Sequence, residues 1–136
     1  MTAPDGVELV YWLTRPEAGS DRLLVLLHGV ASNHTRWSEL VERTALADRW
    51  TLLAPDLRGN GESMTRAGQD IDTWCDDLLR ILEAEEFPSA VFVGHSLGTQ
   101  VAIHLAHRAP AAVAVSYTHL RAHETERTIA YAVFCL

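Results

Sequence analysis

Apolar and polar positions fall in blocks along the chain, and the form of each block separates strands from helices. Val7 to Thr14 (VELVYWLT), after the turn signal Asp5-Gly6, predicts a first strand. Leu23 to Leu27 is an unbroken apolar run, as are Trp50 to Ala54 (WTLLA) and Ala90 to Val93. Such runs predict short strands buried on both faces of a sheet. Between them the apolar residues recur at helical spacing. Trp37, Leu40, Val41 and Ala45 predict a helix over 35–47 with Asn33 as its N-cap. Ile71, Trp74, Leu78 and Leu82 predict a second, capped by Asp70 or Asp72 and broken at Pro88-Ser89. Gly98 to His107, with Val101, Ala102, Leu105 and Ala106 on one side, predicts a third that ends before Pro110. Strands alternating with helices build β-α-β units. The expected fold is therefore α/β, a mostly parallel sheet with helices on both faces.

Composition narrows the function classes. A length of 136 residues suits one domain, and 48% hydrophobic with 21% charged residues suits a soluble globular chain. The formal net charge of −7 argues against a nucleic-acid partner, whose surfaces are met by basic ones. No apolar stretch is long enough for a membrane span, and Met1 to Asp5 lacks the basic and apolar regions of a secretory signal. Two cysteines, Cys75 and Cys135, make no disulfide framework, so a cytoplasmic setting is expected. All the basic residues are Arg, which leaves no Lys for a Walker-type phosphate loop.

Candidate chemistry concentrates at Gly94-His95-Ser96-Leu97-Gly98, a G-x-S-x-G that follows a buried run and opens a helical one. A sharp strand-to-helix turn there pushes Ser96 above the sheet in a strained backbone conformation. Gly94 and Gly98 are needed because a Cβ would collide with neighbouring backbone. The Leu97 N–H then stands at a helix N-terminus, where it can stabilise a developing oxyanion. His28-Gly29-Val30 closes the earlier buried run. Its expected contribution is the Val30 backbone N–H as a second donor, with the His28 side chain structural. Asp56 to Ser63 (DLRGNGES) follows the next run. Its Gly59-Asn60-Gly61 is not a dinucleotide loop, because Met64 stands where a third glycine is required.

H-G-V, D-L-R-G-N-G-E-S and G-H-S-L-G in this order, with the helix Gly98 to Pro110 behind the last, resemble the α/β-hydrolase superfamily over residues 7–114. The resemblance implies a truncated α/β-hydrolase fold, from the N-terminal strands through the nucleophile elbow and its helix. It implies a triad in chain order Ser, acid, His. It maps Ser96 onto the nucleophile, and Leu97 and Val30 onto the oxyanion hole. With Ser rather than Asp as nucleophile, dehalogenase and epoxide-hydrolase chemistry are set aside. What remains is cleavage of an ester, thioester or carbon–carbon bond in a small-molecule acyl substrate through an acyl-type intermediate, with no cofactor and no metal. The alternatives on the same fold are an acyltransferase or perhydrolase, and a non-catalytic ligand-binding member.

The resemblance places the acid and the His at the ends of later strands, for which the residues after Ser96 leave no room. His95 diverges from Ser96 on the bend, and His104 and His107 sit on the helix behind the sheet. His119 and His123 have an H-x-x-x-H spacing, but two imidazoles without a further ligand make a poor metal site. Trp37, Met64 and Trp74 are expected in packing roles. The string Val115 to Thr125 (VSYTHLRAHET) resembles the translation of a transposase-type sequencing adapter, and Ile129 to Leu136 matches its continuation except at Ala130. Residues 1–114 are thus read as the N-terminal part of an α/β-hydrolase domain and 115–136 as a non-native tail. The chain is expected to be inactive for lack of a triad base and acid. The outer edge of the Ala90–Val93 strand is expected to be unpaired, an aggregation liability.

Overall fold

The computed structural model describes residues 1–115, 117–119 and 131–133. Its strands are β1 (Tyr11–Thr14), β2 (Leu23–Leu27), β3 (Thr51–Pro55), β4 (Ala90–His95), β5 (Val113–Val115), β6 (Tyr117–His119) and β7 (Tyr131–Val133). Its α-helices are α1 (Ser38–Arg43), α2 (Ile71–Ala84) and α3 (Leu97–Arg108). The apolar runs form the centre of one sheet, in the order β1-β3-β2-β4. β2 lies parallel to both β3 and β4, β5 lies parallel to β4, and β1 closes one side antiparallel to β3.

Side-chain alternation divides each central strand between two cores. Leu23, Val25, Leu27, Leu53 and Phe92 face α2 and α3, and meet Leu78, Ile81, Leu82, Val101 and Leu105. Leu24, Leu26, Leu52, Ala54 and Val91 face the other way, against Trp37 and Val41. Both faces are covered, which is why these strands read as unbroken apolar runs. The α/β class with helices on both faces holds as read from the sequence.

Three local expectations change. The first strand begins at Tyr11, not Val7, because loop partners take the earlier backbone groups. The Leu9 N–H donates to Met1 O at 2.7 Å, and the Val10 N–H donates to Ser63 Oγ at 2.8 Å. The helix predicted over 35–47 is broken into a 3-10 turn (His34–Trp37), α1, and a second 3-10 turn (Ala45–Asp48). Extended Thr44 interrupts it, its hydroxyl accepting the Leu46 N–H at 3.2 Å. Asn33 does cap the first turn, through the Thr35 N–H at 3.0 Å. Asp70 caps α2 through the Thr73 N–H at 2.9 Å, while Asp72 turns to His104 instead.

The outer edge of β4 is not unpaired, contrary to expectation. β5 pairs with it at Ala90 and Val91, and β7 pairs antiparallel at Gly94 and His95, with β6 beyond. The chain leaves α3 through a Pro110–Ala112 turn that brings Val113 directly alongside β4. His123, Cys135 and the side chain of His119 lie outside the described residues. Among the described residues no helix is long and apolar enough to cross a membrane.

Because β2, β3 and β4 are parallel, their C-terminal ends gather the loops 28–34 and 56–63 and the 94–97 bend on one side of the sheet. The 56–63 loop is locked from beneath. Arg58, with a side chain only 2% exposed, donates from Nε and Nη2 to Asp77 of α2 at 2.7 and 2.8 Å, and also contacts Asp5. Trp74 Nε1 donates to the Arg58 carbonyl at 3.0 Å. Breaking one partner out of such a buried pair costs about 3–5 kcal/mol, so the loop is a rigid part of the fold.

Candidate active site

Ser96 joins β4 to α3 with φ 52° and ψ −112°, a conformation that costs a non-glycine residue about 1–3 kcal/mol. The glycines on either side enforce it. A Cβ on Gly94 would stand 2.4 Å from the backbone of Gly98 and Thr99, and a Cβ on Gly98 would stand 2.4 Å from the Leu27 carbonyl oxygen. The turn closes with the Thr99 N–H on Ser96 O at 3.0 Å and Thr99 Oγ1 on Gly94 O at 2.9 Å. Ser96 is exposed and makes no side-chain capping bond, although it occupies the N-cap position of α3. A serine kept for capping would spend its hydroxyl on the N–H groups of the first turn. This one leaves its oxygen to solvent above the sheet, and Leu97 places the first N–H of α3 beside it.

The loop after β2 forms the opposite wall. Gly29 is buried against the bend, and a Cβ there would lie 3.1 Å from Ser96 Cβ and 2.8 Å from His95 Nδ1. Val30 follows at 71% exposure, and Ala31 has φ 50°. The loop thus approaches Ser96 closely and carries strain of its own. His28 is fully buried, with Nε2 accepting the Leu57 N–H at 2.9 Å and Nδ1 paired with Gly29 O at 2.7 Å. With Nε2 an acceptor, Nδ1 carries the proton and the ring is neutral. Burial pushes its pKa below the usual imidazole range, and burial does the same for His95, helped by Arg36 and then His28. His28 is therefore structural, as read from the sequence.

His104 and His107 also keep to their expected places on the helix behind the sheet. His104 pairs with Asp72 at 2.9 Å on the flank between α2 and α3, and His107 is exposed. Trp37 is buried, Met64 is 70% exposed, and Trp74 packs over the Arg58 carbonyl. Among the described residues no side chain hydrogen-bonds Ser96 Oγ, and no group of three or more His, Cys, Asp and Glu could hold a metal ion. Asp56 had no assigned task in the sequence. The structure buries it and points it at the 28–34 loop, where it accepts the His34 N–H at 2.6 Å. The signal that could have found it is a lone acid at the end of an otherwise apolar strand, followed by a Gly-x-Gly turn.

Comparison with known proteins gives the same outline. Residues 22–126 match a family model described as alpha/beta hydrolase fold. The 2-(acetamidomethylene)succinate hydrolase of Mesorhizobium japonicum is 33% identical over 107 residues, covering 75% of this chain and 38% of that protein. A soluble epoxide hydrolase from Corynebacterium sp. is 35% identical over 91 residues, covering 66% of this chain and 31% of that one. The crystal structure of a hydrolase from Pseudomonas aeruginosa PA01 superposes with a TM-score of 0.76 at 28% identity, over 85% of this chain and 42% of that chain. The chain spans between about a quarter and two fifths of the length of these relatives and their like.

Strain at Ser96 sets an expected stability order. Ser96→Gly relieves the positive φ and should be more stable than Ser96→Ala by about 1 kcal/mol, the ~1–3 kcal/mol of strain less the ~0.5–1 kcal/mol entropy cost of glycine. Urea unfolding of both variants measures it, and equal midpoints would contradict a strained bend. The lowered pKa values of buried His28 and half-buried His95 set a pH dependence. The unfolded chain takes up protons on His28 and His95 near 6.5, before the folded one does. Stability should therefore be full above that value and fall as the pH drops from 7 to 5. Asp5 and Asp70, held low by Arg58 and by the Thr73 N–H, lose their contribution only below about 3.8. The gap between urea midpoints at pH 7 and 5 should narrow in His28→Gln, the remainder belonging to His95, and an unchanged pH slope would exclude His28 as a contributor.

Proposed function

The chain belongs to the alpha/beta hydrolase fold family, and on that premise we propose that it carries the nucleophile of a serine hydrolase acting on a carboxylic ester or related acyl bond. One observation carries the reading: Ser96 is held exposed at φ 52°, its hydroxyl without a hydrogen-bond partner among the described residues, and Gly29 packs close to its Cβ. In this reading Ser96 Oγ attacks the carbonyl carbon of a small-molecule acyl substrate. The N–H groups of Leu97 and Val30 hold the oxyanion of the tetrahedral intermediate. The alcohol leaves, and water releases the acyl group from Ser96.

The hydroxyl itself favours acyl chemistry over the epoxide opening named for one relative. A carboxylate that opens an epoxide forms an ester, which water can cleave at the carbonyl. A serine that opened one would form an ether, with no carbonyl for water to attack. Ser96 completes a catalytic cycle only on a substrate that brings its own carbonyl.

The proton acceptor belongs, in this reading, to sequence outside the chain. The engagement of His28 and His104 elsewhere supports this, as does the fraction of each relative that the chain spans. Without a base the hydroxyl is a weak nucleophile, and the chain is read as inactive. The setting proposed is cytoplasmic, where the buried Cys75 thiol stays reduced. Residues 115–136 are read as a non-native tail. The family match runs on to residue 126, so this boundary rests on the adapter likeness.

A fluorophosphonate probe tests the site. It should label Ser96 alone, and about 10²–10⁴ times more slowly than it labels a full-length relative, the usual contribution of a general base. Labelling that survives Ser96→Ala would overturn the nucleophile, and fast labelling of the chain would overturn the missing base. Sequencing the source DNA past the codon for Ala114 tests the tail. A frame that runs on to an acid and then a His is expected, and a genomic frame encoding Val115 to Leu136 would refute it.

A further inference from the structure

Resting on the reading of Ser96 as nucleophile, we infer that Asp56 is a positioning residue for the oxyanion hole: its carboxylate sets where the Val30 N–H stands relative to Ser96. The tip of the 28–34 loop has little packing to hold it, since Val30 is 71% exposed and Ala31 is also exposed. Its two ends are tethered to adjacent residues at the end of β3. At the near end, His28 Nε2 accepts the Leu57 N–H at 2.9 Å. At the far end, Asp56 Oδ1 accepts the His34 backbone N–H at 2.6 Å and the ring Nδ1–H of the same residue at 3.0 Å. The His34 ring is held flat on Trp12 of β1, with ring centroids 3.2 Å apart.

Asp56 is fixed in turn. Its side chain is 0% exposed, and Oδ2 accepts the Glu62 N–H at 2.8 Å. Gly61, at φ 50°, closes over it so tightly that a Cβ would fall 2.0 Å from Oδ2. Every partner of Asp56 is a donor, so an ionised carboxylate satisfies them all. An Asn of the same shape must aim its NH₂ at either the Glu62 N–H or the His34 N–H, donor against donor. The D-L-R-G-N-G segment thus acts as a buttress. Arg58 anchors it to α2, and Asp56 transmits that rigidity to the loop that carries Val30.

The test uses the 136-residue chain, labelled with ¹⁵N, and 4-fluorophenylboronic acid as probe. The Ser96 oxygen adds to trigonal boron as its proton passes to solvent. One O–B bond forms, the Ser96 O–H bond breaks, no bond to boron is lost, and an oxygen of the resulting tetrahedral boronate meets the two N–H donors. In Asp56→Asn the Val30 amide resonance should move and its hydrogen exchange should rise at least tenfold, while the Leu26 and Val93 amides stay in place. Boronate affinity, read by ¹⁹F NMR, should fall at least tenfold. His34→Gln, which keeps the backbone N–H, should show a smaller change. A folded Asp56→Asn with an unmoved Val30 amide and unchanged boronate affinity would overturn the assignment. If Asp56→Asn does not fold, native-state exchange of the unaltered chain decides: the His34, Glu62 and Val30 amides should open together, and independent opening would refute the tether. If the unaltered chain and Ser96→Ala bind boronate alike, the nucleophile reading fails, and the Val30 amide still judges Asp56.

Discussion

Everything at the candidate site depends on one close approach, that of Gly98 to the Leu27 carbonyl. A Cβ at position 98 would overlap that oxygen at 2.4 Å, so only glycine lets α3 start directly over β2. That approach shortens the β4–α3 connection to a single residue. Ser96 must then take φ 52°, and the same packing brings the end of β2, with Gly29, against the Ser96 Cβ. One backbone contact thus fixes the exposed hydroxyl, the helix N-terminus beside it, and the approach of the Val30 loop. A larger residue at 98 would move all three at once, which is a stronger constraint than any side-chain contact in the site.

Around this bend the molecule uses buried polar groups where a loop alone would be loose. His28, Asp56 and Arg58 are each almost fully buried, and each hydrogen-bonds a partner from another segment of the fold. Such groups add little net stability over apolar packing of the same volume, but each accepts only one arrangement of its neighbours. His28 reads the start of the 56–63 loop, Asp56 reads the far end of the 28–34 loop, and Arg58 reads α2. Unlike packing on an apolar surface, which tolerates sliding, this set pins two loops and a helix in register.

How much of this was legible in the sequence follows from which forces are local. Leu23–Leu27, the 51–55 strand and Ala90–Val93 were readable because burial on both faces demands unbroken apolar runs. The bend was readable because the Gly94 collision is with backbone four and five residues on, which glycine spacing encodes, whereas the contact of Gly98 with the Leu27 carbonyl comes from a distant strand. Val7 to Val10 read as strand because their alternation is real, yet their backbone groups are taken by Met1 and Ser63, the latter far along the chain. Thr44 broke the helix over 35–47 through its own hydroxyl, a competition that apolar periodicity does not record. The pairing of β5 and β7 with β4 was missed because pairing partners depend on where the chain turns after α3. The role of Asp56 was hidden for the same reason, since its partners, His34 and Glu62, lie on both sides of it in sequence and meet only when β2 and β3 are parallel neighbours.

Strain and rigidity at this site are two sides of one arrangement. Ala31 and Ser96, both at positive φ, stand on loops that close on each other through Gly29. A strained residue relaxes unless its surroundings hold it, so the positive φ values persist only where the flanking segments are overdetermined. For Ser96 the overdetermination comes from Gly94 and the Thr99 bonds within the turn and from the packing of Gly98 on the Leu27 carbonyl. For Ala31 nothing so local exists, and the restraint must come through His28 and His34 from residues 56 and 57. The two walls of the site are thus held by different means, one by backbone sterics and the other by a buried carboxylate. Only the second offers a side chain that a single isosteric substitution can alter.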